Sequence, residues 1–187
     1  MLDEIDYSIN VLTQGGVILY PTDTLWGIGC DATNQNSVNR IYKIKKRVQS
    51  KTMIILVSDI DMLKEYVTSI PETALDLIEC FEQPTTIIYP KVKNIAKNLI
   101  RKDGCSAIRI VKDEFCKKLI TLFGKPIVST SANISGEPTP LLFCKISDKI
   151  IQSVDYVVKI GQNKINQLKS STIIKLSENG EYEVIRQ

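Results

Sequence analysis

The chain of 187 residues contains no histidine. Histidine general bases, Ser-His-Asp triads and nearly all catalytic transition-metal sites need an imidazole, so this absence excludes them. Any chemistry in this chain therefore depends on lysine, arginine, carboxylate, hydroxyl and main-chain groups. The net charge of +3 is too small to argue for a nucleic-acid partner by itself.

Paired cysteines and long apolar runs are also missing. The cysteines are odd in number and form no C-x-x-C pair, so we expect buried, reduced thiols and no metal site: Cys30, Cys80, Cys105, Cys116 and Cys144. The apolar run "MIILV" at 53–57 is far shorter than the roughly 20 residues of a membrane span. The first ten residues are acidic, unlike a signal peptide. We therefore expect a cytoplasmic protein with no membrane association.

Short β-branched runs alternate with helical patterns along the chain. The runs predict strands at 17–20, 53–57, 85–89, 106–110, 126–129, 155–160 and 171–176. Apolar stripes at helical spacing predict helices at 37–46, 71–81 and 112–123, with a weaker one at 141–154. This alternation predicts an α/β protein with a mixed sheet. No repeat or linker divides the chain, so we expect a single domain over 1–187.

A polar segment follows the first predicted strand. In "VILYPTDTLWGIG" the strand should end at Pro21, because proline cannot donate to a central ladder. In an extended backbone Thr22 and Thr24 face one way and Asp23 the other. Strand ends are where open α/β sheets bind ligands. The alternative is a strand-to-loop turn in which these side chains satisfy local main-chain groups.

A basic segment, "YKIKKRVQSK" at 42–51, carries five cations in ten residues. Lys45 and Arg47 would point to opposite faces of a continuing helix, so they can converge on one ligand only if the helix ends near Lys46. Such a cluster of ammonium and guanidinium groups suits a polyphosphate. The alternative is a solvated helix end that complements the macrodipole.

A third segment, "PIVSTSANISGEP" at 126–138, is dense in small hydrogen-bonding side chains. Alternation along an extended backbone would align Ser129, Ser131 and Asn133. Small residues also let main-chain N–H groups approach an anion closely. The alternative is an ordinary turn-rich loop.

Taken in order, "YPTDTLWGIGCD", "KIKKR" with a lysine four residues later, "SAIRI", "STSANISGEP" and "SSTIIKL" resemble the YrdC-like threonylcarbamoyl-AMP synthases. The likeness runs from about Gly15 to Arg186. It implies a twisted mixed sheet flanked by helices, with a concave basic ligand-binding surface. It also implies a nucleotidyltransferase that joins L-threonine, bicarbonate or CO2, and ATP into threonylcarbamoyl-AMP, releasing pyrophosphate. That product would serve threonylcarbamoyladenosine modification of tRNAs that read codons beginning with A.

The resemblance also implies roles for individual residues. Threonine would be bound by Thr24, Arg109, Ser129 and Ser171. ATP would be bound by Lys45, Arg47, Lys51, Cys105, Ser131, Asn133, Thr139 and Arg186, with Lys45 and Arg47 also catalytic. Mg2+ is expected with ATP, because an ATP tail of about four negative charges calls for cations. Downstream threonylcarbamoyl-transfer proteins, and tRNA or double-stranded RNA, are the expected macromolecular partners.

Two other functions remain open from the sequence. A non-enzymatic RNA-binding module is suggested by the cations of "KIKKR" and of "KVKNIAKNLIRK" at 91–102, although the second is also typical of a solvated basic surface. A carbamoyl-transfer domain of the hydrogenase-maturation type would share the fold. Those proteins are much longer and carry zinc-finger cysteine pairs, which this chain lacks.

Overall fold

A computed structural model describes residues 1–48, 53–163 and 171–187. Lys51, which the sequence predicts as a phosphate-binding residue, lies outside these ranges. In the part of the chain that is described, no helix is long and apolar enough to cross a membrane.

The described residues form one nine-stranded mixed sheet. Its strands are β1 (Ile18–Tyr20), β2 (Gly27–Gly29), β3 (Ile54–Val57), β4 (Thr85–Tyr89), β5 (Ser106–Ile110), β6 (Ile127–Ser131), β7 (Tyr156–Val157), β8 (Thr172–Leu176) and β9 (Tyr182–Arg186). Their order across the sheet is β7-β1-β2-β6-β3-β5-β4-β8-β9. The pairs β1–β7, β3–β5 and β4–β8 are parallel and the others are antiparallel.

Helices cover both faces of the sheet. They are α1 (Leu2–Thr13), α2 (Gln35–Ile44), α3 (Ile60–Tyr66), α4 (Glu72–Cys80), α5 (Glu114–Phe123) and α6 (Asp148–Ile151). Side chains alternate along each strand, so Leu19 of β1 packs with α2 in one apolar cluster, while Ile18 packs with α1 and α5 in the other. The central strands are therefore buried between two helical layers, as their near-continuous apolar sequences predict, whereas β9 at the edge is exposed.

The predicted strands are present, and the mixed α/β class is confirmed. Sequence periodicity missed α1, α3 and the two strands β2 and β9. The helix predicted at 141–154 is wrong in extent, because only a 3-10 turn at Phe143–Lys145 and α6 form there. The strand predicted at 155–160 is likewise reduced to two residues, Tyr156–Val157.

Strand β2 is short and glycine-rich, so its sequence pattern does not predict a strand. A Cβ on Gly29 would lie 2.6 Å from both the Tyr20 ring and the Val128 carbonyl oxygen, and one on Gly27 would lie 3.1 Å from Ser129 Oγ. The two glycines therefore let β2 pass closely between β1 and β6, as expected for glycine in a strand where backbones approach.

We expect Gly29→Ala to lower the free energy of unfolding by about 1–3 kcal/mol, because a methyl group there overpacks a fully buried site. Urea denaturation of the variant and the wild type measures the difference. An unchanged midpoint would show that Tyr20 and Val128 move aside without cost, and the close approach would then not be what requires glycine in β2.

Candidate active site

A cavity of about 230 Å³ lies beside the connection between β1 and β2 and beside strands β2, β5 and β6. It is lined by Thr22, Thr24, Leu25, Trp26, Gly27, Arg47, Met53, Ile54, Arg109, Ser129, Thr130, Ser131, Thr139, Ser171 and Arg186. Three of these described lining residues are arginines and none is acidic. Most of the other polar ones carry hydroxyl groups, so the cavity suits an anionic ligand with further polar groups.

The chain leaves the sheet after β1, as the proline predicts, and turns back into β2. Thr22 and Thr24 lie in this connection, buried side by side with their hydroxyl oxygens 3.1 Å apart. Asp23 points away from them toward β5, as the alternation of side chains requires. There Arg109 Nη2 lies 2.9 Å from Asp23 Oδ1, and both side chains are more than nine-tenths buried.

This buried ion pair has unused hydrogen-bonding capacity. Burial raises the pKa of Asp23, and the neighbouring Arg109 guanidinium opposes that rise. Arg109 Nε donates to no acceptor among the described residues. Because Arg109 also lines the cavity, it is a buried, charge-balanced donor next to the space that a ligand would fill.

Helix α2 ends at Ile44, so the helix end that Lys45 and Arg47 would need in order to converge on one ligand is present. Lys46 has a φ of 49°, so the chain turns sharply and Arg47 reaches the cavity. Burial lowers the pKa of the Arg47 guanidinium.

Lys45, which the resemblance selects as a phosphate-binding residue, is not among the residues that line the cavity. Its side chain is 1% exposed, and Nζ donates to the main-chain carbonyls of Ser131 and, at 2.7 Å, Asn133. Its own carbonyl accepts from the main-chain N–H of Ser135 at 2.8 Å. Burial, with the nearby Arg47 charge, lowers the pKa of Lys45 to about 8. Lys45 therefore clamps the segment that follows β6.

In that segment the alignment of Ser129, Ser131 and Asn133 predicted from "STSAN" is present only in part. Ser129 and Ser131 line the cavity, whereas Asn133 turns back into its own loop and donates to the Glu137 carbonyl at 2.6 Å. Across the cavity, Arg186 on β9 donates to the Ser171 carbonyl at 2.8 Å. Burial, followed by the Arg109 charge, lowers the pKa of Arg186.

The structure thus brings together eight of the residues that the resemblance selects: Thr24, Arg47, Arg109, Ser129, Ser131, Thr139, Ser171 and Arg186. Cys105 is not among the lining residues. It immediately precedes β5, four residues before Arg109. At roughly 3.3 Å per residue of extended strand, Cys105 and Arg109 are about 13 Å apart along the chain.

Sequence reasoning missed Trp26 and the partnership of Asp23 with Arg109. Trp26 lines the cavity and packs on Phe143, and its indole N–H has no acceptor among the described residues. A single tryptophan beside a polar strand end was a usable signal for a residue of the site. Nothing in the linear sequence pairs Asp23 with a residue on β5.

The described residues offer Mg2+ no cluster of side-chain ligands. Those residues contain no group of three Asp, Glu, Cys or His side chains placed to hold a metal ion. The described cavity lining is basic and polar, and it contributes no carboxylate ligand for a metal ion.

Comparison with known proteins identifies the family. The sequence profile of the Sua5/YciO/YrdC family, described as "Telomere recombination", matches residues 10–187. The threonylcarbamoyl-AMP synthase of Pseudoalteromonas translucida is 36% identical over 154 residues, which cover 81% of this chain and 82% of that protein. The threonylcarbamoyl-AMP synthase of Xanthomonas oryzae is 31% identical over 180 residues, which cover 95% of each.

A solved structure supports the same assignment. Pyrococcus abyssi Sua5 complexed with L-threonine superposes with a TM-score of 0.84 at 29% sequence identity, covering 93% of this chain. The chain spans about half (51%) of that longer protein. From the sequence profile, the curated relatives and the shared architecture, the chain belongs to the Sua5/YciO/YrdC family.

Proposed function

We propose that this protein is an L-threonylcarbamoyladenylate synthase, a nucleotidyltransferase that makes threonylcarbamoyl-AMP and pyrophosphate from L-threonine, bicarbonate or CO2, and ATP. The observation that carries the proposal is one cavity lined by Arg47, Arg109 and Arg186 together with a wall of hydroxyl groups. The relatives named threonylcarbamoyl-AMP synthase and the threonine-bound neighbour support the choice of substrates.

The threonine end of the site lies at Arg109. A guanidinium matches a planar carboxylate with two parallel hydrogen bonds, so Arg109 holds the amino acid's carboxylate. Asp23 keeps the buried guanidinium charge-balanced and oriented while it does so. Thr24, Ser129 and Ser171 surround the remaining polar groups of the amino acid.

The nucleotide end lies at Arg47 and Arg186. Their guanidinium groups face the phosphates and stabilise the charge that develops as pyrophosphate leaves, with Lys51 as a further candidate cation. Ser131 and Thr139 complete the described part of this end. Mg2+ would be held by the ATP phosphates and would offset part of their charge. Lys45 and Asn133 act on the nucleotide indirectly, through the loop that Lys45 clamps.

The reaction needs no histidine. The threonine amine adds to CO2 and loses a proton, which gives a carbamate anion. A carbamate oxygen then bonds to the α-phosphorus of ATP, and the bond from that phosphorus to the pyrophosphate oxygen breaks. Enzymes accelerate such transfers chiefly by positioning groups and stabilising charge, which arginines and hydroxyls can do.

The described site is formed by strands of one sheet and by the segments that connect them, so we propose that residues 1–187 act as a single domain. The product would supply cytoplasmic proteins that transfer the threonylcarbamoyl group to tRNA.

The proposed activity is tested by measuring pyrophosphate release from ATP in the presence of bicarbonate, with and without L-threonine. We expect release that depends on threonine, and equal rates in the two samples would refute the proposed activity.

The hydroxyl-lined pocket also predicts which amino acid reacts best. L-Serine should be used less well than L-threonine, but only by about 1–3 kcal/mol in kcat/KM, because a single missing methyl group is a weak basis for discrimination. Parallel kcat/KM measurements with the two amino acids check this. Equal values would argue against a dedicated threonine pocket.

A further inference from the structure

The hydroxyl of Thr22 lies among four polar atoms in the connection between β1 and β2. Its Oγ1 is 2.7 Å from the Leu25 carbonyl oxygen and 3.1 Å from Thr24 Oγ1. The main-chain N–H groups of Thr24 and Leu25 each approach it at 3.2 Å. Thr22 is 8% exposed and Thr24 is 9% exposed, so these contacts are made out of bulk water.

The protons in this cluster can be assigned by elimination. A hydroxyl has one proton to donate and two lone pairs. A carbonyl oxygen only accepts, so the Thr22 proton goes to Leu25. The two N–H groups only donate, so Thr22 Oγ1 accepts from both of them. Thr22 has no proton left for the contact between the two hydroxyls, so Thr24 is the donor there, and three donors share the two Thr22 lone pairs.

This assignment fixes the polarity of Thr24 toward the cavity. Its single proton is committed to Thr22, so Thr24 Oγ1 offers only lone pairs to a ligand. The arginines on the other walls offer only donors. The cavity thus has an accepting side at Thr24 and a donating side at Arg109 and Arg186.

We propose that Thr22 is a positioning residue for amino-acid recognition, which holds Thr24 as a hydrogen-bond acceptor for an N–H or O–H donor of the bound amino acid. This inference rests on the proposed function, since it takes a β-hydroxy α-amino acid as the ligand and places its carboxylate at Arg109. It adds a direction to the threonine site: the carboxylate faces the donors, and the amine or hydroxyl faces Thr24.

Calorimetric titration of the protein with L-threonine tests the proposal without requiring turnover. Thr22→Val keeps the shape of the side chain but removes the hydroxyl, and we expect threonine to bind about 3- to 10-fold more weakly, as for the loss of one neutral hydrogen bond. Thr22→Ser retains the hydroxyl and should bind threonine as the wild type does. Thr33→Val is the matched control, because the Thr33 hydroxyl donates to Asp31 outside the cavity lining.

A double-mutant cycle separates this role from a merely structural one. If Thr22 acts through Thr24, Thr22→Val should weaken threonine binding in the wild type but add no further loss in a Thr24→Val background. ATP binding should be unchanged by Thr22→Val. Additive losses, or wild-type threonine affinity in Thr22→Val, would overturn the proposal.

Titration with L-valine, which replaces the threonine hydroxyl by a methyl group, identifies the donor. If Thr24 accepts from the ligand's hydroxyl, the preference for threonine over valine falls in Thr24→Val. If Thr24 accepts from the amine, both ligands lose affinity equally.

The proposed function and the proposed role of Thr22 would be contradicted by different results. A protein that binds threonine but releases no pyrophosphate would contradict the proposed function alone, whereas additive losses in the cycle would contradict the role of Thr22 alone.

Discussion

Replacing Arg109 by leucine is expected to remove threonine-dependent activity and to destabilise the fold together. The guanidinium is 3% exposed and pairs with Asp23, so its loss leaves a carboxylate buried without its partner. Breaking a buried pair in this way costs about 3–5 kcal/mol of stability. The same substitution removes the charged donor that holds the substrate carboxylate.

The double variant Arg109→Leu/Asp23→Asn separates these two effects. It removes both charges, so we expect the free energy of unfolding to recover most of the loss. Threonine binding should remain about 10- to 100-fold weaker than in the wild type, as for the loss of a charged hydrogen bond. Urea denaturation and calorimetry measure the two quantities. A stable double variant that binds threonine normally would show that Arg109 is structural only.

Lys45→Met is expected to raise the KM for ATP more than the KM for threonine. The ammonium group donates to the carbonyls of Ser131 and Asn133. The Ser131 carbonyl also accepts from the Asn133 N–H, so loss of the ammonium group leaves the Asn133 carbonyl without its donor, at a cost of about 1–3 kcal/mol. Release of this segment displaces the nucleotide end of the site before it displaces Arg109 on β5. The matched control is Lys43→Met, two residues earlier on the exposed face of α2, which should match the wild type.

The Lys45 clamp also predicts a pH dependence of stability. Burial lowers the pKa of Lys45 to about 8 from an ordinary value of 10.5. Below pH 8 both the folded and unfolded states hold the proton, and the folded state bears the full cost of burying the charge. Between pH 8 and 10.5 only the unfolded chain keeps it, so the wild type should gain stability relative to Lys45→Met as pH rises. Urea denaturation at about pH 7 and about pH 9.5 tests the sign of this difference.

Much of the sheet was predictable because its strands are buried on both faces. Runs such as "MIILV" and "SAIRI" carry the β-branched composition of that environment, and the structure contains β3 and β5 at those positions. Strand β2 was not predictable, because the close approach of Tyr20 and Val128 that requires its glycines is a tertiary contact. Strand β9 is exposed along its whole length, so it carries no burial pattern.

The candidate site likewise has residues that could be predicted from the sequence and contacts that could not. The family resemblance selected Thr24, Arg109, Ser129 and Arg186, which the fold brings to one cavity from four separate segments. The resemblance also assigned Lys45 to the ATP phosphates. It could not show that main-chain carbonyls meet the ammonium group first, since those contacts join residues 86 and 88 positions apart. The proton on Thr24 likewise follows only from the distances around the neighbouring hydroxyl.

The most direct test of the central claim is mass spectrometry of the nucleotide product formed with 13C-labelled bicarbonate, ATP and L-threonine. We predict an adenylate that contains threonine, appears only when threonine is present, and is heavier by the mass of one label with labelled than with unlabelled bicarbonate. Arg109→Leu/Asp23→Asn should form little of it. An adenylate of threonine without the label, or no threonine-dependent nucleotide at all, would contradict the proposed reaction.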